Sequence, residues 1–335
     1  MSKSQGSAAR RREQERRRQQ ENDRGKKPQA GKRRQLRRKS SRRPAILVGG
    51  VLLVIALIVV YFIFTSSQPS SSGPNRTVAS ASVVNAVTKV SPALLSQIGN
   101  GGVSNPFKAS GSLALLTGPG GKPEVFFYGA EWCPLCAAER WSIIVALSRF
   151  GTFHNLDETT SSSTDSYPNT ATFSFYQSSY SSSYIDFAPI ENADRLRNTL
   201  QTPTAAEQQI LSTYNVGGYP FMDIGNRYLI ESASYDPTVL RSNPQDSSSQ
   251  PLTQQQIASQ LSTANSLSNN VLGVANYLTA AVCSITKNQP SQVCSDPAMQ
   301  SIEASLSGTG RSNMPGGSSS LLSLASFPVL DVRHS

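Results

Sequence analysis

Residues 125–141 read VFFYGAEWCPLCAAERW, and two structural periods meet there around a pair of cysteines. The apolar, aromatic-rich run within 123–130 predicts a buried strand that ends at Gly129-Ala130. Beyond Cys133 the apolar positions change spacing. Trp141, Ile144, Val145 and Ser148 fall on one helical face, widened by Ile143, Ala146, Leu147 and Phe150. A helix is therefore expected to begin at the cysteines and run to about 150, with Arg149 in its last turn and Gly151 as its stop residue.

That junction is where the chemistry is expected. The strand delivers Cys133 to the sheet edge at which the helix starts. The unsatisfied N–H groups and the helix dipole there favour an anion and lower a thiol pKa. Pro134 suits the first helical turn, where a missing N–H costs nothing. Cys136 follows within one turn, deeper, and is placed to attack a mixed disulfide on Cys133. Cys133 is thus read as an exposed nucleophile and Cys136 as the resolving thiol. Two other readings stand beside this one, a static disulfide and half of a zinc site. Zinc would need two further ligands from Cys283, Cys294 and His154, none at helpful spacing. A bridge across so few residues closes little loop entropy and makes a poor staple.

Working outward, the pattern alternates. A short helix interrupted at Pro92 is expected within 83–98. SLALLT (112–117) reads as an apolar run before the turn GPGGK (118–122). A Ser/Thr-rich loop (159–172) leads to strands at 172–177 and 183–191. Residues 193–214 look helical with a break near Pro203. YPFMDI (219–224) and RYLIES (227–232) flank Gly225-Asn226, a hairpin turn signal. Helices are expected again at 252–263, 267–286 and 297–306. The fold class is α/β with a mixed central sheet and added helices. About 220 ordered residues can bury a full core unaided.

Composition limits the alternatives. The 335 residues include two histidines, His154 and the penultimate His334, which excludes a histidine-rich metal centre and leaves a Ser-His-Asp site only His154. No cofactor is expected. The net charge of +10 is uneven: residues 1–44 hold 18 Lys and Arg against four acids, and the rest carries a net of −4. Ala45–Phe64, AILVGGVLLVIALIVVYFIF, contains no charge. At 1.5 Å per residue it spans roughly 30 Å, the thickness of a bilayer's hydrocarbon core. Arg42 and Arg43 flank one end, and Tyr61, Phe62 and Phe64 mark the other. The run is longer than a signal-peptide core, and Ala79 and Ala81 lie too far beyond it for cleavage. Five segments follow: a basic cytoplasmic tail (1–44), a single transmembrane helix (45–64), a Ser/Pro/Gly tether (65–84), a folded extracytoplasmic domain (85–306) and a loose C-terminal tail (307–335). The tail's arginine triplets suit phosphates, but without an aromatic residue to stack on bases it is read as a topology signal touching anionic lipid rather than nucleic acid.

Outside the cytoplasm, Cys283 and Cys294 are expected to form a structural bridge worth about 3 kcal/mol, with an electron relay to the first pair as the alternative. Trp132 offers either an apolar contact to substrate or a partly buried aromatic.

VFFYGAEWCPLCAAERW resembles the active-site strand, motif and helix of the thioredoxin superfamily. Ala130-Glu131-Trp132-Cys133 is close to thioredoxin itself, and Cys-Pro-x-Cys is nearer to extracytoplasmic disulfide-forming proteins. Gly217-Gly218-Tyr219-Pro220-Phe221, 84 residues beyond Cys136 at Pro220, resembles the superfamily's second signature. The outer domain also resembles prokaryotic membrane-anchored families of unknown function with thioredoxin-like sheets. The resemblance implies a thioredoxin-like fold, a cis-proline at Pro220 and Tyr219 backbone groups offered to an extended substrate chain. It implies a thiol–disulfide oxidoreductase acting on protein thiols and disulfides and recycled by a membrane redox partner. A redox-inactive binding module holding another envelope protein is the alternative. Where the superfamily often has a buried acid, six residues before the first cysteine, this chain has Phe127. Glu124 is the nearby acid on the same strand.

Overall fold

The structure, a computed structural model, describes residues 76–111 and 113–309. The basic tail, the apolar run at 45–64, most of the tether and the C-terminal tail from 310 lie outside the described residues. Among the described residues no helix is long and apolar enough to cross a membrane.

The architecture is mixed α/β. Strand β3 (Glu124–Gly129) occupies the middle of a five-stranded sheet, with β2 (Lys108–Ala109), β8 (Asp186–Glu191), β9 (Phe221–Ile224) and β10 (Tyr228–Ile230) in the order β2-β10-β9-β3-β8. β3 runs parallel to β8 and antiparallel to β9, with Gly129 opposite Glu191 and Phe127 opposite both Pro189 and Met222. β9 and β10 form the expected hairpin. Gly225 and Asn226 take φ values of 66° and 56°, the paired positive values that a tight turn between twisted strands requires. Two smaller sheets pair β1 (Thr77–Val78), β5 (Asp157–Thr160) and β6 (Ala171–Ser174), and β4 (Gly151–His154) with β7 (Ser179–Ser182).

Side-chain alternation along β3 sorts two hydrophobic clusters onto the two faces of the sheet. Val125 and Phe127 join the larger cluster, and Phe126 joins Ile190, Leu211, Phe221 and Leu229 in the smaller one. The larger core is built around α3 (Pro134–Leu147) and α6 (Ser266–Ile285), with α1 (Ala81–Thr88) and α2 (Pro92–Ile98) packed beside them. α3 is buried on nearly every side rather than along one stripe, so the periodic face in its sequence understates its contacts. The smaller cluster is covered chiefly by α4 (Ala205–Thr213), whose capping box is formed by Thr204 and Glu207. The remaining α-helices are α5 (Gln254–Gln260), α7 (Ser291–Cys294) and α8 (Pro297–Thr309), and a short 3-10 helix spans Pro237–Leu240.

The apolar run at 113–116 lies outside the strands, with Thr117 making an isolated bridge to Pro123. Expectations for two other segments are corrected. Gly151 does not end the long helix, which is capped at Ser148. It opens β4, where a Cβ would stand 2.3 Å from the Ser181 carbonyl oxygen, so close strand pairing demands glycine there. Residues 193–204 are not helical. The Asp194 carboxylate accepts from the backbone N–H groups of Leu196 and Asn198, and this local capture replaces a first helical turn.

Candidate active site

The two cysteines lie at the end of β3 and the start of α3, as the change of period implies. Cys133 is the N-cap of α3: its Sγ accepts from the Cys136 N–H at 3.3 Å, and Pro134 follows at the first helical position. Both thiols are free. The Cys136 thiol, hydrogen-bonded to the Cys133 sulfur, holds the Cys133 pKa below its ordinary value. The Cys136 N–H and the Arg140 charge act the same way, against burial. Burial, with the neighbouring Cys133 sulfur, pushes Cys136 well up, against Arg140 and the Ala130 N–H. The two thiols are thus unequal, with the thiolate favoured at Cys133.

Cys133 is more enclosed than expected. It is 4% exposed, and Cys136 is fully buried. Cys133 nevertheless lines a cleft of about 380 Å³, with Trp132, Pro134, Leu135, Tyr167 and Tyr219 among its walls. Trp132 and Tyr219 meet edge to face at 5.7 Å between centroids. The Tyr219–Pro220 peptide is cis, and the Tyr219 carbonyl oxygen lies 3.9 Å from the Cys133 Sγ. Pro220 is buried beneath it. The Tyr219 hydroxyl donates to Asn192, whose own N–H is held by the Gly129 carbonyl. Cys133, Cys136, Trp132, Tyr219 and Pro220 are therefore brought together, although the loop at 217–220 is remote from the cysteines in sequence.

Two further segments complete the cleft. The loop at 161–170 reaches the motif through Ser162, whose N–H donates to the Trp132 carbonyl, and supplies Asp165, Ser166 and Tyr167 to the wall. The turn at 194–198 sets the Arg197 guanidinium 3.7 Å above the Trp132 ring, a cation–π contact. Neither segment carries a motif that marks it in the sequence.

Beneath the cleft lies a buried ionic layer that sequence periodicity does not disclose. Arg140 is fully buried and forms a bidentate pair with Glu191: Nε donates to Oε1 at 2.8 Å and Nη2 to Oε2 at 2.6 Å, while Nη2 also reaches the Ala130 carbonyl. Burial alone would lower the guanidinium pKa, but Glu191 outweighs it and the net shift is upward. Glu131 is likewise buried and accepts from Arg76 at 3.1 Å and from the Ser174 hydroxyl. Its pKa is raised, chiefly by burial. Glu124 is not an acid for Cys136. It alternates with Val125 and Phe127 and lines a separate cavity with Ala188, Glu207 and Ile210. Gly129 is required here because a Cβ would stand 2.5 Å from the Phe127 ring and 3.3 Å from the Cys136 Sγ.

The second pair stands apart. Cys283 and Cys294 form a disulfide with Cα atoms 5.6 Å apart. Their sulfurs are occupied by one another, so they cannot complete a four-thiolate site with Cys133 and Cys136.

A family described as Domain of unknown function (DUF929) matches residues 114–284, a span holding the Cys-x-x-Cys motif, the Tyr219–Pro220 loop and Cys283. No curated protein and no solved structure matches the chain.

Proposed function

We propose that this chain, which belongs to the family described as Domain of unknown function (DUF929), is a membrane-anchored thiol–disulfide oxidoreductase acting on extracytoplasmic protein thiols and disulfides. The observation that carries the reading is the asymmetric cysteine pair. Cys133 caps α3 with its pKa lowered, Cys136 lies behind it with its pKa raised, and the pair adjoins a cleft beside the cis Tyr219–Pro220 peptide. A thioredoxin-like core fits the connectivity: β3-α3-β8 is a parallel β-α-β unit, and the β9-β10 hairpin is followed by α6. In this reading the Cys133 thiolate, or a Cys133–Cys136 disulfide, exchanges with substrate through a mixed disulfide on Cys133. Trp132 and Tyr219 would contact the chain flanking the substrate cysteine. Ala45–Phe64 would anchor the domain, with the basic tail cytoplasmic, and a separate membrane redox partner would recycle the pair.

The test is covalent trapping. Cys136→Ala expressed in whole cells should accumulate mixed disulfides through Cys133 that reductant dissolves. Absence of any adduct that the added change Cys133→Ala abolishes would overturn the reading. The 4% exposure of Cys133 favours a second one, a redox-inactive thioredoxin-like module that binds another envelope protein. A pair that stays locked across physiological potentials would select the module.

A further inference from the structure

What surrounds Cys136 bears on the redox direction of the pair. Its helix carries a buried cation. Arg140 stands one helical turn beyond Cys136 on α3, so the two side chains share a face. Both meet at Ala130: its N–H favours the Cys136 thiolate, and its carbonyl accepts from Arg140 Nη2. β3 contributes Phe127 and Gly129 here, the Phe127 ring 5.8 Å from the guanidinium carbon. Three buried carboxylates lie nearby: Glu191 pairs with Arg140, Glu131 pairs with Arg76, and Glu139, one turn past Cys136, accepts from the Ser234 N–H and hydroxyl. Arg140 Nη1 is buried with no hydrogen-bond partner, an N–H group available to an anion that forms beside it.

We propose that Arg140 is a positioning residue that stabilises Cys136 as a thiolate leaving group, and that the pair therefore works in the oxidising direction, donating its disulfide to substrate thiols. This inference rests on the oxidoreductase reading above and deepens it. A substrate thiolate attacks the Cys133 Sγ of the Cys133–Cys136 disulfide. The S–S bond breaks, its electron pair stays on the Cys136 Sγ, and a substrate–Cys133 disulfide forms. A second substrate thiolate then attacks the substrate sulfur and releases the Cys133 thiolate. Two substrate thiols are oxidised to one disulfide, and the pair takes up the two electrons. A partner disulfide must withdraw them again. A thiolate born at a fully buried sulfur needs a nearby positive charge until it takes a proton, as the raised Cys136 pKa requires. The same cation lowers the Cys133 pKa. It therefore stabilises the reduced pair, whose resting anion is Cys133, and makes the disulfide the stronger oxidant.

The experiment equilibrates full-length protein and variants with glutathione redox buffers and reads the fraction of Cys133–Cys136 disulfide. Arg140→Lys, which keeps the charge, should stay within threefold of wild type. Arg140→Met/Glu191→Leu removes the ion pair without stranding either charge. Its equilibrium constant for reduction by glutathione should fall at least tenfold, about 30 mV for this two-electron couple. Glu191→Gln, which leaves the cation unneutralised, should shift the constant the opposite way. A folded double variant within threefold of wild type overturns the proposal. If the double variant does not fold, a Glu191→Gln constant that fails to rise overturns it. A wild-type pair that does not exchange with glutathione at all overturns the oxidoreductase reading, and this inference falls with it.

Discussion

The two cysteine pairs occupy opposite ends of helices. Cys133 caps the N-terminus of α3, where free N–H groups and the positive end of the dipole stabilise a thiolate. Cys283 lies in the last turn of α6, and Cys294 is the final residue of α7. There the unsatisfied groups are carbonyls, and the Cys283 carbonyl needs donors of its own, from the Asn288 N–H and the Thr286 hydroxyl. A thiolate gains nothing at such a position, and a disulfide carries no charge to be penalised. The first pair adjoins a cleft and the second is buried in packed helix ends. The free pair and the bridged pair are separated by which end of a helix holds them.

The largest expected effect breaks the contrast outright. Cys133→Ala should abolish disulfide exchange with a protein substrate, measured by a stopped thiol assay. Cys283→Ala/Cys294→Ala should leave that exchange within a few-fold of wild type. Loss of exchange in the second variant, with the fold intact by circular dichroism, would instead make the distal pair a relay.

The next effect is on stability. The distal bridge closes a short loop, and its removal should cost about 3 kcal/mol. For a domain of this size that lowers the melting temperature by roughly 6–12 °C. Calorimetry of the double variant checks it, and reduction of wild type with an excess of dithiol should reproduce the shift.

pH sharpens the comparison. Glu139 lies one turn past Cys136 in α3, fully buried, and accepts from the Ser234 N–H and hydroxyl, both at 2.9 Å. Burial raises its pKa to about 7, only partly offset by those two donors. Because the folded value exceeds the unfolded one, the folded state holds the proton more tightly. The resulting stability is fully present below about pH 4.5 and is lost as pH rises to about 7, by up to about 3 kcal/mol. Glu139→Gln should flatten the melting-temperature profile between those limits. A profile as steep as wild type would contradict the assignment.

The smallest effect concerns substrate. Trp132→Ala removes the ring clasped between Arg197 and Tyr219, a contact worth about 1 kcal/mol. It should raise KM for a protein thiol several-fold while leaving glutathione exchange nearly unchanged. An equal loss for both would make Trp132 a packing residue only.

Much of this was legible locally. The change from an apolar run to helical spacing put Cys133 at a strand–helix junction, Pro134 marked the first turn, and Gly225-Asn226 marked the hairpin. Residues 193–204 were misread because their polar side chains turn back onto their own backbone, a choice that hydrophobic periodicity does not register. Gly151 was misread because a close approach from Ser181, far along the chain, and not the helix end, requires it.

The sequence by itself determined the elements that obey short-range rules: the capped helix with its two thiols, the hairpin, and the α/β alternation. The tertiary structure alone decided which charges meet beneath the motif. Glu191 is 51 residues from Arg140, and Arg76 is 55 from Glu131. Neither pairing has a period or spacing that could announce it, because the partners meet only when distant segments fold together. The enclosure of Cys133 was decided the same way, by Trp132 and Tyr219 closing over a thiol that local chemistry had merely activated.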